Sequence, residues 1–168
     1  MSHPFLTFTL ADSHFAVEVT NVQEVLEYQH ITRVPCADTW MEGLISSRGQ
    51  GISVVNMRRK FALDDREPDK NTRIIVMELR PTEDETVIFG AIADSVQEVI
   101  EIADEEIEPP PKFGNTIATR FIRGIAKREG EFIIVLNAEQ IFSQDELDDI
   151  TETEESVPVE EEEQSPEG

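Results

Sequence analysis

Apolar and polar residues along this chain alternate in short runs, with no long helical stripes. Residues 5–10 read Phe-Leu-Thr-Phe-Thr-Leu and residues 14–19 read His-Phe-Ala-Val-Glu-Val. An Ala-Asp-Ser turn separates the two runs, so together they predict a hairpin. Further strands are predicted at residues 52–55, behind Gly49-Gln-Gly51, and at 73–79, 87–93 and 131–136. Strands this short, broken by Gly, Pro and Asp, predict an all-β barrel or sandwich. Short helical turns are expected after Asn56 and Asn137, and a short helix at 143–150 behind the N-cap residue Ser143. The charged stretch 64–71, which carries Pro68, reads as a loop between two halves.

Those halves are related. Phe15-Ala-Val-Glu-Val-Thr-Asn-Val-Gln-Glu-Val-Leu-Glu27 aligns with Phe89-Gly-Ala-Ile-Ala-Asp-Ser-Val-Gln-Glu-Val-Ile-Glu101, and the two share Val-Gln-Glu-Val. Thr20-Asn21 and Asp94-Ser95, residue pairs of helix-capping type, precede the shared tetrapeptide in each copy. A second block, 43–56, aligns with 124–137. It matches Gly43 with Gly124, Gly49 with Gly130, Ile52 with Ile133, Val54 with Val135 and Asn56 with Asn137. Two collinear blocks imply one small β module present twice, each copy needing the other to complete a core. Arg48 falls opposite Glu129, so the copies differ in charge at the turn before a strand.

Charge narrows the function classes. The chain has 36 acidic and 14 basic residues and a net charge of -22, which excludes a nucleic-acid binder and argues against direct binding to an anionic membrane. Twelve of the acids lie beyond Phe142; removing them leaves -10 on the rest. The segment from about Glu152 onward has almost no apolar residues and repels itself, so 1–151 is expected to fold and 152–168 to form a disordered acidic tail. On that reading, deleting the tail leaves folding intact. The single Cys36 excludes an internal disulfide framework, and a reducing, cytoplasmic setting is expected. The first residues lack the basic and apolar segments of a signal peptide, and no apolar run approaches a membrane span.

Nothing in the sequence supports catalysis. It has no GxxxxGK[ST] phosphate loop, no GxGxxG before a helix and no GxSxG elbow. Gly49-Gln-Gly51 is a turn signal, and Cys36 reads as a small packed residue. His3, His14 and His30 have no metal-ligand spacing, so neither metal nor cofactor is expected.

The repeated blocks, together with Ile31-Thr-Arg-Val-Pro35, Met41-Glu-Gly-Leu-Ile45, Arg48-Gly49 and Ile52-Ser-Val-Val-Asn-Met-Arg58, resemble the CheW family of bacterial chemotaxis coupling proteins over about residues 5–150. The resemblance implies two intertwined five-stranded SH3-like β-barrels. It implies a non-enzymatic adaptor, a monomer when free, that joins the cytoplasmic hairpin tip of a chemoreceptor to the regulatory domain of a CheA-type histidine kinase. By match to the family's motif, Val22, Glu24, Gly43, Arg48 and Gly49 are the expected receptor-facing residues. Val22 would give the receptor helix an apolar contact and Arg48 a planar donor fork, while Glu24 could orient Arg48 or bond the receptor directly. Ser46-Ser47 departs from the Asn-Leu usual before Arg-Gly, and Asn56 stands where many members carry Asp. A coupler for another chemosensory system, such as pilus motility, and a β-barrel enzyme are the competing readings.

Overall fold

The computed structural model describes residues 1–35, 38–109 and 121–156. Cys36 and the acidic residues past Ser156 lie outside them. Ten strands dominate: β1 Ser2–Leu10, β2 Ser13–Glu18, β3 Val22–Glu27, β4 Met41–Ser47, β5 Gln50–Asn56, β6 Arg73–Thr82, β7 Glu85–Ala93, β8 Ser95–Ala103, β9 Ile122–Arg128 and β10 Glu131–Leu136. Two helices, α1 Met57–Lys60 and α2 Gln144–Ser156, complete the main elements.

The strands form two five-stranded sheets in the orders β8-β1-β2-β10-β9 and β3-β6-β7-β5-β4. Adding five to each strand number of the first repeat gives its twin in the second, and this mapping converts one sheet order into the other. Each barrel therefore takes two strands from one sequence repeat and three from the other. The need of each copy for its partner is met by strand exchange. Loop 64–71 does join the repeats, but the strands on either side of it, β5 and β6, belong to the same barrel. Below, the sheet containing β1 is the first barrel and the sheet containing β3 the second.

Hydrophobic burial follows the same plan. Phe5, Ala16, Ile102, Ala126, Ile133 and Val135 fill the first barrel. Ile31, Ile45, Ile52, Val54, Ile74 and Val76 fill the second. A larger cluster joins the barrels, with Phe8, Phe15 and Val17 from one side and Val55, Met77, Leu79 and Phe89 from the other. Fully burying each such side chain is worth about 1.5–3 kcal/mol, so this shared layer makes the two barrels one folding unit.

Two-residue turns close the hairpins. Ala11-Asp12 (φ 51° and 69°), Arg48-Gly49 (57° and 78°) and Glu129-Gly130 (52° and 81°) all adopt the left-handed conformation that matches strand twist. The turn after Asn56 is helical as expected: the Asn56 side chain accepts a hydrogen bond from the Arg59 amide and caps α1. A 3₁₀ turn follows Asn137, without a side-chain cap. Val-Gln-Glu-Val behaves otherwise. Despite the capping-type residues before it, it enters an edge strand in both copies, because pairing with β6 and with β1 supplies its backbone partners.

Ser143 and Glu146 form a reciprocal capping box at the start of α2: the Glu146 amide donates to Ser143 Oγ at 3.2 Å, and the Ser143 amide donates to Glu146 Oε1 at 2.9 Å. Leu147 and Ile150 bury one face of α2 in the central cluster. Lys60 Nζ, enclosed between Trp40 and Phe142, pairs with Glu146 at 2.9 Å. Burial, and then the neighbouring Asp149 carboxyl, push the Asp38 pKa above the usual carboxylate range.

The helix runs past the expected tail boundary, since residues 152–156 continue α2. The reason is tertiary. Ser53 is fully buried, its amide donates to Glu154 Oε2 at 2.8 Å, and its hydroxyl donates to the Ile150 carbonyl at 3.1 Å. Composition alone missed this anchor. Glu154→Ala is expected to cost about 1–2 kcal/mol, because it strands a buried amide. Deleting 152–168 should cost at least as much, and chemical denaturation of the full chain and both variants measures it. A variant as stable as the parent would show that Glu154 does not hold α2.

Candidate functional site

All five expected receptor-facing residues lie on β3, β4 and the β4–β5 turn, where the second barrel closes on itself. Glu24 is on β3, and Arg48-Gly49 forms the β4–β5 turn. These elements sit at opposite edges of the open sheet order, yet the Arg48 guanidinium reaches Glu24, with Nη2 3.1 Å from Oε1. Arg48 is 80% exposed and Glu24 is 24% exposed. The carboxylate therefore orients a guanidinium whose remaining donors face solvent.

Burial alternates strictly along β3: Val22, Glu24 and Leu26 are half-buried while Gln23, Val25 and Glu27 are exposed. Glu24 therefore holds an inward position and Val25 an outward one, with a register slip against β6 between Val22 and Glu24. Val22 is half-buried and packs against the central cluster, so it joins the core and the surface beside Glu24.

Gly43 has a different role in the fold. It is buried in β4 with φ +150°, and a Cβ placed there would lie 2.2 Å from the Thr32 carbonyl oxygen. Thr32 and Leu44 exchange backbone hydrogen bonds at 2.8 Å, a bridge that seals the barrel between β3 and β4. Gly124 stands in the same place in the first barrel, with its Cβ position 2.4 Å from the Glu108 carbonyl oxygen. The glycine match between the repeats thus reflects a close backbone crossing that the geometry of the fold imposes.

Motif reading passed over a second set of side chains. Arg58 on α1 grips Asp94 with two bonds, Nε to Oδ1 at 3.0 Å and Nη2 to Oδ2 at 2.7 Å. The Ala11 amide, from the β1–β2 turn of the other barrel, donates to Asp94 Oδ2 at 2.8 Å. Arg58 and Asp94 both lay inside the family-like segments, but only the fold shows that they meet. Burial works to raise the Asp94 pKa; the Arg58 and Ala11 bonds outweigh it and hold the carboxyl below the usual range.

A polar cavity of about 500 Å³ opens beside this clasp, lined by Arg59, Glu42 and Asp65 among others. Its ionisable groups are tied to one another: Arg59 reaches Glu42 at 3.1 Å and Asp65 at 2.9 Å, and Arg33 reaches Glu42 at 3.3 Å. Burial would raise the Asp65 pKa, but bonds from Arg59 and Asn56 lower it on balance. Among the described residues no His, Cys, Asp and Glu side chains gather as a metal-binding group. None of the described helices is long and apolar enough to cross a membrane.

Two five-stranded barrels built by strand exchange between sequence repeats define the class of this protein. The CheW-like domain model matches residues 4–146, and the chain belongs to the CheW family. It is 28% identical over 143 residues to the chemotaxis protein CheW of Klebsiella aerogenes, covering 85% of this chain and 83% of that one. It is 29% identical over 142 residues to the Thermotoga maritima protein of the same name, covering 83% and 87%. The crystal structure of the scaffolding protein TtCheW from Thermoanaerobacter tengcongensis matches with a TM-score of 0.74 and 34% identity, over 85% of this chain and 94% of that one. The two-barrel all-β fold is that of the family, whose members are scaffold and coupling proteins of chemotaxis and not enzymes.

Proposed function

We propose that this protein works on the cytoplasmic side of the receptor array and couples the hairpin tip of a chemoreceptor to the regulatory domain of a CheA-type histidine kinase. Glu24, Arg48 and Gly49 form the polar part of the receptor-facing surface. Val22 gives it an apolar contact, and Gly43 acts indirectly by keeping the barrel closed beneath it. One observation carries this reading: Arg48 is 80% exposed and anchored on Glu24 at 3.1 Å. An oriented guanidinium can bind a carboxylate in bidentate fashion or cap the carbonyls at a helix end.

Arg48→Ala is the direct test. The Arg48–Glu24 pair is exposed, so its loss should change stability by less than about 1 kcal/mol. In a reconstituted receptor–kinase–adaptor assay the variant is expected to need about tenfold more protein for half-maximal kinase activation, matching a lost charged hydrogen bond of about 1.5 kcal/mol. Parent-like activation by Arg48→Ala would remove Arg48 from the receptor-facing set. A second reading, a coupler for a non-flagellar chemosensory system, draws on the 26% identity to protein FrzA of Myxococcus xanthus over 140 residues. It changes the receptor and leaves the site as described. Pull-downs with receptor hairpin fragments from each type of system separate the two.

A further inference from the structure

The repeat allows one barrel to be read against the other. In the second barrel, Glu24 of the Val-Gln-Glu-Val edge is matched by Arg48 from the facing turn. The twin residues in the first barrel are Glu98 and Glu129. The turns have the same backbone, with φ 57° and 78° at Arg48-Gly49 and 52° and 81° at Glu129-Gly130. The edge strand slips register within the tetrapeptide here as well, and Thr7 Oγ1 bridges the slip, donating to the Glu98 carbonyl at 2.8 Å and accepting from the Glu98 amide at 3.1 Å. The scaffold is conserved between the copies, and the cation is missing from one.

Glu98 and Glu129 line a cavity of about 330 Å³ with Glu131. Neither Glu98 nor Glu129 has a side-chain hydrogen bond or an ion pair among the described residues. Arg128, at the cavity wall, is engaged elsewhere, donating to the Glu101 carbonyl and reaching Glu106 at 3.5 Å. His14 is held by Glu131 at 2.7 Å and Gln97 at 3.0 Å. Beside the cavity β8 is an edge strand, and its Val99 is 57% exposed. A net charge of -22 further favours approach by a cationic partner.

We propose that this face of the first barrel is a second docking surface, which receives a partner polypeptide carrying an arginine next to an apolar residue. The arginine takes the place between Glu98 and Glu129 that Arg48 takes beside Glu24, and the apolar side chain covers Val99. The surface does not involve the receptor-facing residues, and the proposal does not rest on their role. A second copy of this chain is the less suitable occupant, because two strongly negative bodies repel one another.

The test is an NMR titration of the isotope-labelled full chain with the capped peptide Ala-Leu-Arg-Leu-Ala and, separately, its glutamate counterpart Ala-Leu-Glu-Leu-Ala. The arginine peptide is expected to shift the amides of β8 and the β9–β10 turn, and the glutamate peptide to leave them in place. Glu129→Arg should weaken arginine-peptide binding at least tenfold, since the turn then supplies its own guanidinium to Glu98. Arg48 holds the same left-handed conformation in the twin β4–β5 turn, so an arginine at 129 should be compatible with the fold. Glu98→Gln should also weaken binding. Equal binding of the two peptides, or full binding by Glu129→Arg, would overturn the proposal. Concentration-dependent self-association that Arg48→Ala abolishes would also overturn it, by assigning the face to another copy of the chain.

Discussion

Gly43→Ala is expected to lower stability by about 3 kcal/mol or more, toward the upper end of overpacking costs. The added methyl would meet the Thr32 carbonyl oxygen at 2.2 Å and Ile31 Cγ2 at 2.9 Å. The side chain could turn away, but the carbonyl cannot, because its hydrogen bond to the Leu44 amide seals the barrel. The φ of +150° adds backbone strain for any residue with a side chain. For a domain of this size the melting temperature should fall by about 10 °C, as followed by circular dichroism. Gly124→Ala tests the same crossing in the first barrel. There the Glu108 carbonyl oxygen lies 2.4 Å from the added methyl, but the backbone φ is ordinary, so a smaller drop is expected. Parent-like melting of Gly43→Ala would show that the bridge yields easily. The pair also separates fold from function, since Gly124 lies outside the receptor-facing set and Gly43 inside it.

Asp94→Asn should cost about 3–5 kcal/mol at neutral pH, the range for breaking a buried ion pair from one side. Arg58 and Asp94 are 10% and 13% exposed, so the substitution strands a guanidinium with little water around it. It also weakens the link to the Ala11 amide, through which one barrel holds the other. The effect should depend on pH in a defined direction. The folded-state pKa of Asp94 is lowered, so its contribution is complete above the ordinary aspartate value of about 3.9. It is lost as pH falls through the lower folded-state value. The stability gap between parent and Asp94→Asn should therefore be widest near pH 7 and narrow below about pH 4. Asp38 has the opposite sign: its raised pKa adds stability at low pH that is lost as pH rises through the raised value. Urea unfolding of parent and variant at several pH values measures the gap. A gap that stayed constant with pH would show that the clasp does not titrate with folding.

Much of the architecture was legible because duplication leaves a sequence record independent of secondary-structure propensity. The two collinear blocks gave the two modules, and the hairpin around Ala11-Asp12 and the strand after Gly49-Gln-Gly51 could be read from alternation and turn residues. The edge strands β3 and β8 were harder. In both, residue type runs against position: Glu24 is half-buried while Val25 and Val99 are exposed, so the apolar and polar positions of the sequence do not track burial there. The strands β4 and β9 were missed for a related reason: each holds a glycine where another backbone segment crosses it. The motif match singled out both Arg48 and Glu24 and left two roles open for Glu24, orienting Arg48 or bonding the receptor; the 3.1 Å contact between them comes from the fold. The Arg58–Asp94 clasp and the Glu154–Ser53 anchor join residues far apart in sequence, and no local pattern announces such contacts.

Exchange of strands between the repeats also changes what a break in the chain would mean. Loop 64–71 is the covalent joint between the two halves, but β5 pairs with β7 and β2 with β10 across that joint. A nick there would leave two fragments joined by four strand pairings, β1 with β8, β2 with β10, β3 with β6 and β5 with β7, and by the core cluster the barrels share. Connectivity is thus a matter of history and effective concentration, while integrity lies in the pairing.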